Sequence, residues 1–179
     1  MTQTPLTAAP ARRDPAVAST PVGWNRAGTG LVVILFIMVG HVWSIDTGLF
    51  LDDHAHYAHL REAPWTVTGL VEASRLGIVG DVMDLWGRQE AGLRFFRPVA
   101  FAIMKLEYTL VRWRPMPMHL FSLAWHFLCA MLVAELAWRC LGRWFWAGAA
   151  GALMAIHPGH VATVYWIAWQ TEPITTAFL

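Results

Sequence analysis

The sequence predicts an all-α integral membrane protein, a multi-span helical bundle with amphipathic juxtamembrane helices along its extracytoplasmic edge. Three observations predict it. The chain is 56% hydrophobic and only 14% charged, against about 25% charged in a typical soluble domain. Its mean hydropathy is +0.44. Its apolar residues also collect in runs of spanning or near-spanning length, separated by short polar links. A net charge of +1 gives no sign of a nucleic-acid partner, so the basic residues are read by their side of the bilayer. Cys129 and Cys140 have no spacing for a disulfide framework or a zinc knuckle and are assigned no role.

Taken in order, residues 1–26 are rich in Ala, Pro and Thr and carry Arg12, Arg13 and Arg26. They cannot bury enough apolar surface to fold alone and read as a disordered cytoplasmic tail. Residues 27–179 read as the N-terminal part of a polytopic membrane domain. Its first span is 27–50, which at ~1.5 Å per residue crosses a ~30 Å hydrocarbon core with some tilt. A cleaved signal peptide is the alternative, but "HVWSIDTG" at 41–48 has no small-x-small cleavage pattern.

The region 51–116 is polar and contains the run "WTVTGLVEASRLGIVGDVMDLW", whose near-helical apolar spacing predicts short interfacial helices broken at Pro64, Gly77 and Gly87. Within it, 98–113 is apolar but carries Lys105, Thr109 and Arg112 at i, i+4 and i+7, with Glu107 elsewhere. A lipid-facing charge near mid-helix costs ~2.5 kcal/mol or more. An amphipathic helix lying at the interface is therefore expected.

Spans at 117–138 and 144–156 follow, joined by the basic turn "RCLGR", and a further span begins at 163 and runs to 179. Pro158 is expected to end the third span, since it lacks a backbone donor. Arg139 and Arg143 should lie on the cytoplasmic side with the Arg-bearing tail. With 98–113 at the interface, 51–116 and "HPGH" then both face outward. Were 98–113 to span, the basic turn would be extracytoplasmic and the two polar stretches would lie on opposite sides.

Those two stretches carry the candidate chemistry. "LDDHAHYAH" places Asp52, Asp53, His54, His56 and His59 at the outer end of the first span. Its plain reading is a helix-terminating acidic pair at the membrane edge. The chemical reading is a base of tunable pKa or an oxygen site for a divalent cation. On a helix, Asp52, His56 and His59 also share a face that suits zinc. "HPGHVATVYWIAWQTE" supplies His157, His160, Gln170 and Glu172; ionisable groups at a bundle mouth mark functional sites more often than lipid contacts. Trp166 and Trp169 read first as interfacial anchors. Glu135 and Arg139 read as an i, i+4 ion pair. His41, His119 and His126 read as satisfied packing histidines.

The order of these pieces adds a further expectation. A tail, one span, an acidic pair, amphipathic helices, "FRPV", "HLFSLAWH", a basic turn and "HPGHVATVYWIAWQTE" together resemble the N-terminal membrane module of GT-C fold glycosyltransferases. The likeness is greatest to the protein O-mannosyltransferase-like group that includes transmembrane tetratricopeptide-repeat proteins, and it covers most of residues 30–179. Ser122 stands where that group has Asn, Trp125 where it has Leu, Ala162 where it has Glu after His-Pro, and Gln170-Thr171-Glu172 where it has Arg-x-Asp.

The resemblance implies a sugar transferred from a polyprenyl-phosphate donor to an extracytoplasmic acceptor, a protein hydroxyl or a glycan or lipid. Asp52 or Asp53 would be the general base. Arg97, His157, His160, Gln170 and Glu172 would hold the donor phosphate or substrate, and Asp52, Asp53, His56 and His59 a divalent Mn or Mg ion. It also implies the inner (plasma) membrane with the N-terminus cytoplasmic. Since enzymes of this fold are longer, residues 1–179 alone are expected to be inactive. The competing expectation is a non-enzymatic or metal-binding membrane protein, a scaffold or transporter fragment.

Overall fold

The computed structural model of the chain describes residues 25–50, 53–76, 93–94 and 97–179. Residues 1–24 of the expected tail, Asp52, Phe96 and the breaks expected at Gly77 and Gly87 lie outside these residues, and the tail's last two residues, Asn25 and Arg26, begin the first helix instead. The described chain is helical apart from one antiparallel pairing two residues long, β1 (Arg75–Leu76) with β2 (Leu93–Arg94).

Helix α1 (Arg26–His41) starts where the Asn25 side chain accepts from the Gly28 amide at 2.9 Å, which satisfies one of the amides a helix start leaves orphaned. It runs on as a 3-10 turn over Val42–Asp46. Two further α-helices, in chain order α2 (Asp53–Glu62) and α3 (Val67–Ala73), precede α4 (Pro98–Leu110). Helix α5 (Pro115–Leu141) opens on a proline, whose missing donor costs nothing in a first turn. Gly142 ends it in the left-handed region at φ 67, a conformation without penalty for glycine. Helix α6 (Trp144–Ile156) stops just before Pro158, as expected.

Arg26–Asp46 and Pro115–Leu141 are long and apolar enough to cross a membrane, and α6 is a shorter apolar helix. Only 28% and 33% of the two long windows is buried, and Leu31, Leu35, Val39, Leu132, Leu136 and Leu153 all point outward. The three helices pack through small residues. A Cβ on Gly151 would lie 2.9 Å from Val33 Cγ2 and 3.1 Å from the Ala130 carbonyl, so backbone proximity itself supplies the contact.

Two expectations are corrected here. Residues 163–179 do not form one continuous helix: α7 (Val161–Tyr165), a 3-10 turn (Ile167–Gln170) and α8 (Thr171–Ala177) follow one another, with Trp166 extended at φ −115, ψ 106 between the first two. The polar residues Gln170 and Thr171 are buried against other elements, and their partners decide the path. Helix α4 forms as predicted, but Lys105 and Glu107 face neither water nor lipid; both are buried in protein, at 3% and 5% exposure. The Lys105 ammonium donates to the Leu60 and Ala63 carbonyls, capping the C-terminal end of α2, where the helix dipole favours a cation. Around this contact Leu60, Phe101, Met104, Tyr108, Met118, Ile167 and Ile174 form the apolar core of the junction.

Candidate functional site: a clamped polar turn beside an apolar groove

The turn 167–172 is held from three sides. Asp53, at the start of α2, is fully buried; one carboxylate oxygen accepts from the Ala168 amide at 2.6 Å and the other from the Phe50 amide at 2.8 Å. From α4, Glu107 accepts from the Gln170 side-chain amide at 2.6 Å and from the Trp125 indole at 2.7 Å. Ahead of α4, Arg97 donates to the Thr171 hydroxyl at 2.8 Å and pairs with Glu172 at 2.7 Å. Burial, only partly offset by the two hydrogen bonds, pushes the Glu107 carboxyl up to about 7.

A cleft of about 120 Å³ opens on this turn, lined by His56, Arg97, Phe101, Ala168, Trp169, Thr171 and Glu172. His56 is buried with its ring 5.5 Å from that of Phe101. Arg97 also lines a second, more apolar groove of about 350 Å³ with Val99, Ala100, Ile174 and Phe178. Trp169 is stacked on Trp166 at 5.3 Å and is 44% exposed.

The structure therefore brings the residues that follow the first long helix and the "WQTE" stretch together. Arg97, His56 and Glu172 share one cleft, and Asp53 holds its wall. Gln170 does not line the cleft; it is fully buried behind it, on Glu107. His157 and His160 lie elsewhere. The His157 Nδ1 accepts from the Gly159 amide at 3.0 Å, and His160 sits against His126 and His157 at ring distances of 5.4 and 5.7 Å. Burial, then the neighbouring imidazoles His157 and His41, lower the His160 pKa, so it is a poor cation for an anionic ligand. His160 and His126 line a separate cavity of about 250 Å³, which reaches Glu172 from the other side.

Of the expected metal set, Asp52 lies outside the described residues. Among the described residues no three His, Cys, Asp or Glu side chains converge to hold an ion. His59 turns to an open surface pocket with Glu62 and Glu72, away from the cleft that His56 lines. His41, His119 and His126 are buried packing groups. His41 and His126 both place Nε2 3.0 Å from the Ala155 carbonyl, near the α6 end where Gly159, the natural donor to that carbonyl, bonds His157 instead. His119 Nε2 meets the Gly48 carbonyl at 2.9 Å. Glu135 and Arg139 form the expected ion pair at 3.1 Å.

Sequence reasoning missed Glu107, Trp125 and Ser122 as parts of the site. The available signal was a lone carboxylate within an apolar helix, which must find donors if it is buried. On α5, Trp125 meets Glu107 and Ser122, three residues earlier, meets Gln170. Comparison of the chain with protein-family models, curated proteins and solved structures found no match.

Proposed function

We propose that this protein is a multi-span membrane protein of the GT-C glycosyltransferase class. In this reading it engages a polyprenyl-phosphate-linked sugar at the extracytoplasmic face of the inner membrane and transfers the sugar to a hydroxyl of a protein, glycan or lipid acceptor. The observation that carries the reading is the position of Arg97 between a polar cleft and an apolar groove. An amphiphile with an anionic head and a hydrocarbon tail has that chemistry. Arg97 is 31% exposed and its partner Glu172 48%, and such half-exposed pairs contribute little stability. A phosphate can therefore displace Glu172 and take the guanidinium in bidentate fashion.

Asp53 then acts as a positioning residue, because both its oxygens already accept backbone amides. The general-base role passes to Asp52, which would take the acceptor hydroxyl's proton as the oxygen attacks the anomeric carbon and the lipid phosphate leaves. Arg97 offsets the charge that develops on the leaving phosphate. A divalent ion, if one takes part, would draw on Asp52 and ligands outside the described residues. The buried clamp at Asp53 also favours a second reading, a non-enzymatic membrane scaffold in which the acidic pair is structural.

Binding separates the two. Purified protein in phosphatidylcholine nanodiscs is titrated with a polyprenyl phosphate and with the uncharged polyprenol. The glycosyltransferase reading expects the phosphate to bind at least tenfold more tightly than the alcohol, with that preference lost in Arg97→Ala. Equal affinity for both lipids would leave the scaffold reading standing.

A further inference from the structure

We propose that Glu107 is a positioning residue whose protonation state sets the placement of the 168–172 turn, through a reversal of the Gln170 side-chain amide. The inference deepens the lipid-phosphate reading of the Arg97 cleft and rests on it only for the consequence to binding.

Donor and acceptor accounting carries the argument. The Glu107 Oε1 faces the Trp125 indole N–H, which can only donate. That oxygen can never carry the proton without setting two donors against each other. The other oxygen, Oε2, faces the Gln170 amide nitrogen, and a primary amide can present either end. A proton taken from water onto Oε2 therefore requires Gln170 to turn over and offer its carbonyl oxygen. Its NH₂ group then meets the Ser122 hydroxyl, which now stands 3.5 Å from the Gln170 Oε1. A hydroxyl accepts as readily as it donates, so Ser122 completes the bonding in either state. The network thus has two satisfied arrangements that differ by one proton and one amide reversal.

The surroundings leave this proton to Glu107. Its side-chain partners among the described residues are the neutral Trp125 and Gln170. Lys105 and Tyr108 on α4 are turned to other groups: Lys105 caps α2, and Tyr108 stacks on Trp113 at 4.9 Å. On α2, Asp53 is taken up by backbone amides and Tyr57 packs on Tyr108 at 5.6 Å. On α5, His119 and His126 bond carbonyls. Beyond the turn, Glu172 is held by Arg97. The raised Glu107 carboxyl, at about 7, places both states within the physiological range.

Gln170 is followed directly by Thr171 and Glu172, the two residues that engage Arg97. Reversal of the amide shifts the wall of the cleft. Loss of the buried negative charge also makes the cleft more receptive to an anion.

The test uses the protein in nanodiscs and begins without ligand. The Trp125 indole N–H resonance, assigned by its loss in Trp125→Phe, is followed from acid to alkaline pH together with hydrogen-exchange protection of amides 168–172. A single shared titration near neutrality is expected in the wild type. In Glu107→Gln, which resembles the protonated state, neither signal should titrate. Ser122→Ala, which removes a Gln170 partner from both arrangements, should keep the indole and the turn titrating together. A wild-type indole signal that does not titrate, or turn protection that ignores the indole transition, overturns the proposal. In polyprenyl phosphate binding, the wild type should gain roughly fivefold relative to Glu107→Gln as the pH falls through the transition. The ligand's own ionisation is common to both proteins and cancels. Titration of the indole and the turn without phosphate binding at any pH sinks the lipid reading alone, whereas binding with no difference between the two proteins overturns the positioning role.

Discussion

The bundle of α1, α5 and α6 and the junction of α2, α4 and the 167–172 turn hold together by opposite means. In the bundle, Gly151 lets α6 approach the Ala130 carbonyl and Val33 closely, and the outward faces remain apolar. The main polar device there is the pair of imidazoles on one orphaned carbonyl. In the junction the fixed points are charges: Asp53 on backbone amides, Lys105 on helix-end carbonyls and Glu107 on neutral side-chain donors. A bundle built from shape tolerates lipid around it, because its contacts need no water. A junction built from buried ions is specific in geometry and sensitive to the loss of any one partner, since the remaining group is left buried and unpaired.

The largest effect expected from that difference is at Asp53. Asp53→Ala leaves the Phe50 and Ala168 amides without their acceptor and should lower stability by about 4 kcal/mol, read as a fall in the denaturation midpoint together with faster hydrogen exchange in 167–172. A near-neutral substitution would erase the contrast between the regions.

Next is the pH response of the junction. The Glu107 carboxyl is raised from 4.5 to about 7 in the folded protein, so the folded state binds the proton more tightly than the unfolded one. Stability from this group is complete below 4.5 and is lost as the pH climbs through 7. At ~1.36 kcal/mol per pH unit the loss is about 3 kcal/mol. The unfolding midpoint should fall between pH 5 and pH 8 in the wild type and fall less in Glu107→Gln.

The bundle should answer to volume instead. Gly151→Val forces a methyl-bearing side chain against Val33 and the Ala130 carbonyl and should cost about 2 kcal/mol, with no change in the pH response. The two imidazoles offer a finer test. Either His41→Ala or His126→Ala leaves Ala155 with one donor, whereas the double substitution orphans a buried carbonyl. The double mutant should be worse than the sum of the singles by about 1 kcal/mol in the same denaturation assay. Smallest of all, Arg139→Gln removes a pair whose arginine is 70% exposed and should change the midpoint by less than about 0.5 kcal/mol.

Much of the bundle was legible in the sequence because its determinants are local. Run length and apolarity forecast 27–50, 117–138 and 144–156, and Pro158 marked where α6 ends. The expected i, i+4 pair of Glu135 and Arg139 needs only helix periodicity. The junction was legible only in outline. Arg97, His56 and Glu172 were singled out and do meet, but His157, His160 and Gln170 were placed with them and are not in that cleft. Apolar run length also overreached at 163–179, where the run is cut by an extended residue and a buried polar turn.

The sequence by itself determined that two helices are long and apolar enough to cross a membrane, that a third apolar helix follows them, and that polar chemistry gathers at their ends. These follow from hydrophobicity and helical period, which act over a few neighbouring residues. Only the tertiary structure decided which groups that chemistry joins: Asp53 meets Ala168 across more than a hundred residues, and Glu107 meets Gln170 across more than sixty. A buried carboxylate is defined by the donors that reach it, and no local pattern in the chain records which distant donors those are.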